Sequence, residues 1–134
     1  MTLQVELVSP ERILYSGQAD MVIARTVGGG ELAFLTGHAP FVGALDIATV
    51  TIRSPEGDEL VAVHGGFVEV SNDTVTILSE VAELSSQIDV DRARRAQEKA
   101  EERARGGHDA EAEAAARRAH VRLSAGRGLA SAAR

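Results

Sequence analysis

Four cationic side chains in the last third of the chain have spacings that would place them around one anion. Arg92 and Lys99 are seven residues apart, so in a helix they lie on nearly the same face. Arg118 and Arg122 have the i, i+4 spacing of neighbours on a helix. If the two segments fold together as antiparallel helices, we expect these cations to meet around a polyphosphate.

Two carboxylates extend this candidate site. Glu83 and Asp89 could accept hydrogen bonds from the base or the ribose of a nucleotide. The plainer alternative is that Asp89 caps a helix and the arginines keep the surface soluble. The chain lacks a G-x-x-x-x-G-K-S/T loop, and Gly28-Gly29-Gly30 has no following Lys. A nucleotide bound here would therefore be a regulator and not a substrate.

Other catalytic and metal-binding patterns are missing from the sequence. It has no cysteine, which excludes disulfides and thiolate nucleophiles. Its four histidines are dispersed, without metal-ligand spacing. No Ser-His-Asp spacing or carboxylate pair stands out, although triad members need not be close in sequence. We therefore expect a non-catalytic protein that requires no cofactor and holds no metal.

Composition excludes further classes. The net charge of −6 argues against a nucleic-acid binder. No apolar run approaches the roughly 18 residues that cross a bilayer, and the N-terminus lacks the pattern of a signal peptide. The expectation is a soluble cytosolic chain, at most peripheral to a membrane.

The chain divides near residue 88 into halves of opposite charge. Residues 1–88 carry 12 acidic against 3 basic side chains, a net charge of −9, and residues 89–134 carry 8 against 11, a net charge of +3. All three prolines lie in the first half. We predict a β-sandwich domain over residues 1–86 and a helical hairpin with a frayed C-terminal tail over residues 87–134.

Short strands dominate the first half. Leu3, Val5 and Leu7 alternate with polar residues, which is the pattern of a half-buried strand. Turn signals recur along the chain, and Gly65-Gly66 is expected to break one apolar run. The predicted strands are 3–7, 21–24, 32–35, 50–53, 60–63, 67–70 and 75–78. Strands this short, with turns this regular, predict an antiparallel sandwich or barrel.

Two helices are predicted in the second half. Asp89 caps the first, and Gly106-Gly107 ends it. Asp109 caps the second, which runs from about Ala110 to Leu123 and ends at Gly126 and Gly128. Small residues form the facing surfaces: Ala93, Ala96, Ala100, Ala104, Ala112, Ala115, Ala116, Ala119 and Leu123.

This alanine seam predicts an arm whose docking is marginal. A buried methyl stabilises by about 0.8 kcal/mol, so six to eight give only about 5–6 kcal/mol before the ordering entropy is subtracted. A ligand present at about 100 times its dissociation constant contributes about 2.7 kcal/mol. Such a ligand could therefore shift the position of the arm. The alternative is a surface hairpin that never moves.

Three segments resemble the epsilon subunit of F-type ATP synthases. They are GELAFLTGHAPFV at 30–42, VHGGFVEV at 63–70, and VTILSEVAE at 75–83 followed by IDVDRARRA. Their order and spacing agree with the family over nearly the whole chain. Ala33 and Thr36 stand where the family often has Gly and Pro, which bears on the conformation of that loop.

The resemblance implies a central-stalk subunit of a proton-translocating ATP synthase at the cytoplasmic face of the cell membrane. Its partners would be the gamma subunit, the c-ring and the catalytic alpha and beta subunits. The mobile hairpin would restrain ATP hydrolysis. Glu31 and His38 resemble positions near the c-ring contact, and Arg117, Arg118 and Arg122 would favour an acidic patch on a catalytic subunit. The plainer alternatives are an ordinary loop histidine and a solvated charged face.

The segment Ile88–Ala93 matches the I/L-D-x-x-R-A pattern of epsilon subunits that bind ATP. The resemblance thus implies regulatory ATP that holds the folded, non-inhibiting form. The candidate residues are Glu83, Ile88, Asp89, Arg92, Ala93, Lys99, Arg118 and Arg122. The alternative function is a generic protein-interaction module, a β-sandwich adaptor with a helical arm.

Overall fold

A computed structural model describes residues 2–106 and 110–132 of the 134-residue chain. Eight strands are followed by a 3-10 turn at Ser85–Gln87 and two helices. The strands are β1 (Leu3–Val8), β2 (Ile13–Ala19), β3 (Met21–Thr26), β4 (Gly30–Leu35), β5 (Phe41–Ser54), β6 (Gly57–Ser71), β7 (Thr74–Leu78) and β8 (Ala82–Leu84). The helices are α1 (Val90–Arg105) and α2 (Ala110–Ala132).

The strands form one hydrogen-bonded sheet that folds around a core. Its order is β2-β1-β7-β6-β5-β3-β4, and β8 pairs with the first half of β6. The described pairs are antiparallel except for β1 with β7, which run parallel. A β-sandwich followed by two helices confirms the predicted fold class, and the parallel pair is an addition to it.

Aliphatic side chains fill the interior of the sandwich. Val5, Val63 and Ile77 are fully buried, and Phe34 is the one aromatic residue among the described buried core. The buried residues of this main cluster come from residues 3–77, and Ala82 and Leu84 pack against it, so neither helix contributes to it. The sandwich therefore has a core of its own, on which the hairpin lies as a separate layer.

The expected break at Gly65-Gly66 is wrong, because β6 runs through it without interruption. Both glycines have positive φ, +87° and +127°. A Cβ on Gly66 would collide with the carbonyl oxygen of Leu78 on β7. The glycines thus allow a close approach of two strands and do not end one.

The first helix has the predicted ends. Asp89 is in an extended conformation, and its Oδ1 accepts a hydrogen bond from the backbone N–H of Arg92 at 3.0 Å. Gly106 follows the last helical residue. Gly107 and the proposed cap Asp109 lie outside the described residues.

The predicted end of the second helix is wrong. Instead of stopping near Leu123, α2 continues through Gly126 and Gly128 to Ala132. Gly126 is buried, and a Cβ there would lie 2.7 Å from Cγ2 of Val90 at the start of α1. The predicted frayed tail, 131–134, begins with two helical residues, and its last two lie outside the described part. Within the described ranges, neither helix is long and apolar enough to span a membrane.

The hairpin packs on itself through alanine and on the sandwich through mixed aliphatic residues. Ala93 and Ala100 of α1 are buried, as are Ala112 and Ala119 of α2, which confirms the alanine seam. A second cluster joins α2 to the sandwich and consists of Ala62, Val121 and Ala125 with the partly buried Ile47, Leu60 and Ile88. Val121 was not predicted as a contact residue. Because its side chain is larger than alanine, the hairpin docks on the sandwich through more aliphatic surface than the alanine seam alone would give.

Candidate functional site

A cleft of about 280 Å³ lies where β8, the 3-10 turn and both helices meet. It is lined by Glu83, Gln87, Ile88, Asp89, Arg92, Ala93, Ala96 and Arg122. Six of the eight residues predicted for a nucleotide site therefore surround one cleft. Its volume is just below that of most ligand clefts, which run from about 300 to 1,000 Å³. It would hold part of a nucleotide without enclosing it.

Asp89 and Arg92 form one wall of the cleft at the start of α1. The Asp89 cap uses Oδ1, so its Oδ2 takes no part in that bond. The side chain of Arg92 is exposed and belongs to the first turn, where the helix dipole also favours an anion. Capping and ligand binding by this segment are therefore compatible.

Arg122 forms the opposite wall and is bound to the sandwich. Its Nε donates to Oε1 of Glu83 at 2.5 Å, and both side chains are 30% exposed. Glu83 is on β8 and Arg122 is on α2, so this ion pair ties the hairpin to the sheet. Because the two residues are 39 positions apart, their pairing could not be inferred from sequence spacing.

His64 lies beneath this ion pair and was not among the predicted site residues. Its side chain is 3% exposed, and its Nε2 is 3.5 Å from Oε1 of Glu83. Neither ring nitrogen has a hydrogen-bond partner among the described residues. Burial lowers the pKa of His64 and the nearby Arg122 lowers it further, while Glu83 acts in the opposite direction. The net effect favours the neutral imidazole in the folded chain.

Two predicted cations do not line the cleft. Lys99 follows Arg92 by seven residues, which at 1.5 Å per residue places it about 10 Å further along α1. Arg118 donates to Oε1 of Glu111 at 2.6 Å. Gln87 lines the cleft although it was not predicted, and its Oε1 accepts from the backbone N–H of Leu84 at 3.2 Å.

The predicted partner-contact residues occupy separate surfaces. Glu31 is exposed on β4, and Arg117 is exposed on α2. His38 is half-buried, with its ring 5.1 Å from that of Phe34 in an edge-on arrangement. Its Nδ1 is 2.7 Å from the carbonyl oxygen of Ala39. This packing agrees with an ordinary loop histidine, and its role at an interface stays a prediction.

The chemistry of the cleft suits a ligand that is anionic at one end. Two guanidinium groups, Arg92 and Arg122, are matched to phosphate oxygens. Glu83 and Asp89 accept hydrogen bonds, and Ile88 and Ala93 supply apolar surface. This donor set fits a nucleoside polyphosphate, provided that Arg122 exchanges its bond to Glu83 for one to phosphate. Within 2–106 and 110–132 no cluster of His, Cys, Asp and Glu could hold a metal ion.

Comparison with known proteins gives a family for this chain. The family described as "ATP synthase, Delta/Epsilon chain, beta-sandwich domain" matches residues 2–85. The ATP synthase epsilon chain of Streptomyces griseus is 47% identical over 124 residues, which cover 92% of this chain and 94% of the relative. That of Brevibacillus brevis is 53% identical over 103 residues, which cover 75% of this chain and 76% of the relative.

Two solved structures share the fold. A chain of the Euglena gracilis mitochondrial ATP synthase superposes with a TM-score of 0.68 at 22% identity, covering 99% of this chain and 82% of that chain. A chain of the Tetrahymena thermophila mitochondrial ATP synthase, in a structure of the central stalk and c-ring, has a TM-score of 0.54 at 18% identity and covers 96% of both chains. The matched family and the high identity to bacterial relatives together show that this protein belongs to the ATP synthase epsilon chains, non-catalytic subunits of that complex.

Proposed function

We propose that the chain couples the catalytic head of a proton-translocating ATP synthase to its rotor. In this role the sandwich contacts the gamma subunit and the c-ring at the cytoplasmic face of the cell membrane. The observation that carries the proposal is membership of the epsilon-chain family across both the sandwich and the hairpin. Similarity in fold to chains of assemblies that contain a c-ring supports it. Family membership also leaves no reason to prefer a generic adaptor.

The hairpin is proposed to restrain ATP hydrolysis when it leaves the sandwich. In the folded form Arg122 is paired with Glu83 and Arg118 with Glu111, so both guanidinium groups are occupied within the chain. Undocking would break the pair that joins the hairpin to the sheet and free Arg122. That residue could then join Arg117 in contacting an acidic patch on a catalytic subunit.

The cleft between the hairpin and the sandwich is proposed to bind regulatory ATP. Its walls come from β8, α1 and α2, so one ligand would contact all three elements. A ligand that binds only this arrangement stabilises it by mass action. ATP would therefore hold the hairpin in the folded, non-inhibiting form. Lys99 and Arg118 would reach such a ligand only at its periphery or after rearrangement.

Calorimetry with ATP tests this site directly. Arg92→Ala removes a guanidinium from the cleft wall, and we expect ATP affinity to fall by about ten- to a hundredfold, the equivalent of losing a charge-assisted hydrogen bond. Arg95→Ala is the matched control, because it removes the same charge from the same helix at an exposed position that does not line the cleft. No ATP-dependent heat in the wild type, or equal losses in both variants, would end the proposal.

Hydrolysis by the reconstituted catalytic head tests the inhibitory role. We expect faster hydrolysis with a chain truncated after Ile88 than with the full chain. The sandwich core contains no residue beyond Leu84, so the truncated chain should still fold and bind the stalk. Equal rates would remove the inhibitory role and leave the coupling role standing.

A further inference from the structure

His64 is a buried, unpartnered imidazole at the boundary between two clefts. On one side it contributes to a second cleft, of about 320 Å³, together with Pro10 and Glu80. On the other side it faces Glu83 of β8 and the guanidinium groups of Arg122 and Arg118 from α2. Glu83 and Arg122 also line the candidate nucleotide cleft described above, so His64 lies next to one of its lining residues.

We propose that His64 takes up a proton when a nucleotide draws Arg122 toward its phosphates, so that ATP binding and proton binding are linked. This inference rests on the proposed ATP site and adds a regulation to it. The step is a proton transfer, in which the bond of the proton to its solvent donor breaks and an N–H bond of the imidazolium forms. The proton comes from solvent and goes to an imidazole nitrogen, the nearer of which to Glu83 is Nε2.

The folded chain without ligand keeps His64 neutral. Glu83 is already neutralised by Arg122 at 2.5 Å, so a second cation beside it would gain little. Burial and the positive charge of Arg122 both lower the pKa of His64. Protonation in this state would put an imidazolium next to a guanidinium in a site shielded from water, which is unfavourable.

A polyanion in the cleft reverses the electrostatic conditions, although His64 stays buried. If Arg122 turns to a phosphate oxygen, the carboxylate of Glu83 loses its partner while it stays partly buried. The Nε2 atom of His64 is 3.5 Å away and needs to move by less than 1 Å to form a charge-assisted hydrogen bond. The negative charge of the ligand also favours the imidazolium. All three effects raise the pKa of His64, so they add rather than cancel.

The proposed proton linkage predicts how ATP affinity changes with pH. ATP affinity should weaken as pH rises through the range between the pKa of His64 in the free and in the bound protein. The change can reach at most about tenfold per pH unit, the limit for one proton. Above that range the affinity should no longer depend on His64.

Calorimetry in two buffers of different ionisation enthalpy measures the proton uptake per ATP bound. At pH 6.5 we expect the wild type to take up more protons than His64→Gln, with the difference gone at pH 8. The titration of ATP itself cancels in this difference. His120→Gln is the control, because it removes an exposed imidazole from the same protein and should behave as the wild type. Equal uptake by the wild type and His64→Gln overturns the linkage while the ATP site stands. Absence of ATP heat in the wild type overturns both.

A second measurement applies even if His64→Gln fails to fold. The ring of His64 can be titrated by NMR in the protein without ATP, in the wild type and in Arg122→Gln. Removing the guanidinium should raise the pKa of His64, because it imitates the departure of Arg122 toward a ligand. An unchanged titration in Arg122→Gln overturns the proposed coupling.

Discussion

Glu83 is the residue at which the hairpin, the sandwich and the candidate ligand cleft meet. It accepts from Arg122 and faces the buried His64, and it lines the cleft as well. A carboxylate with two possible cationic partners can exchange one for the other with little movement. In the proposed linkage, the charge of His64 depends on where Arg122 is, and the position of Arg122 depends on the hairpin.

His64 should also make the stability of the ligand-free chain depend on pH. The unfolded chain binds the proton with an ordinary pKa near 6.5, whereas burial lowers the pKa of His64 in the folded state. Between these values the unfolded state holds more protons, so the free energy of unfolding falls as pH falls below about 6.5. Its slope is at most about 1.4 kcal/mol per pH unit.

Urea unfolding of the wild type and His64→Gln between pH 5 and 8 checks this dependence. We expect the variant to lose less stability on acidification than the wild type. His120→Gln is the control, because it removes an imidazole that is exposed instead of buried. Parallel curves for the wild type and His64→Gln would contradict the burial of a neutral imidazole.

For individual residues, the sequence predicted the chemistry of neighbouring positions well. It did not predict which residues far apart in the chain are paired. The segment Ile88–Ala93 could be recognised because the cap and the first-turn arginine are set by neighbours in the chain. The contact of Glu83 with Arg122 depends on how the hairpin docks, and no spacing encodes it. Lys99 illustrates a further limit: sharing a helix face with Arg92 does not bring it to the same height along the axis.

Elements were predictable where one periodicity dominated. β1 alternates buried and half-buried residues along its whole length, so its strand pattern was evident. β2 was not predicted, because its sequence ILYSGQA has an exposed Ile13 and only one buried residue, Ala19, at its end. The first part of β5 was missed for a similar reason, since glycine and exposed Val42 interrupt its pattern.

Gly126 shows why glycine was misinterpreted as a helix end. Inside α2 it is a packing residue, which lets the helix approach Ile88 and Val90 on either side of Asp89. Glycine lowers helix stability by about 1 kcal/mol relative to alanine, and the structure uses it where a methyl group would collide. A sequence without its partner segment cannot distinguish these two uses.

Gly126→Ala should therefore loosen the start of α1 although it favours the helix. The new Cβ would lie 2.7 Å from Cγ2 of Val90, a β-branched side chain with little rotational freedom. Overpacking of this kind costs about 1–3 kcal/mol, more than the gain in helix propensity. Hydrogen exchange measures the result, and we expect faster exchange of the α1 amides.

Ser124→Ala provides the comparison for this variant. Ser124 is exposed on the same helix, so alanine there raises helix propensity without a collision. Its α1 amides should exchange as in the wild type. If the α1 amides exchange at the same rate in both variants, the close approach at Gly126 has no energetic consequence.

At the scale of the whole molecule, an acidic sandwich with its own core carries a basic helical arm. The net charges of the two halves have opposite sign, −9 against +3, with 12 acidic and 3 basic residues in the first and 8 and 11 in the second. The attraction between the two halves contributes to the free energy of docking over a long range, and salt screens it. The short-range contribution to docking comes from the alanine seam and from the cluster of Ala62, Val121 and Ala125. This is the docked state that we propose a ligand stabilises.

Val121→Ala should shift the whole molecule toward the undocked form. Val121 is 6% exposed and packs against Ala62 and Ala125, and loss of its two methyl groups should cost about 1–2 kcal/mol. That would lower the ratio of docked to undocked molecules by about 5- to 30-fold.

The distance between the arm and the sandwich measures this shift. The chain has no cysteine, so two cysteines introduced at the exposed positions Glu102 and Gln18 can alone carry the distance labels. We expect longer distances in Val121→Ala, shortened again by saturating ATP, and no change in the exposed control Val27→Ala. A Val121→Ala distribution identical to that of the wild type would mean that this cluster does not hold the arm.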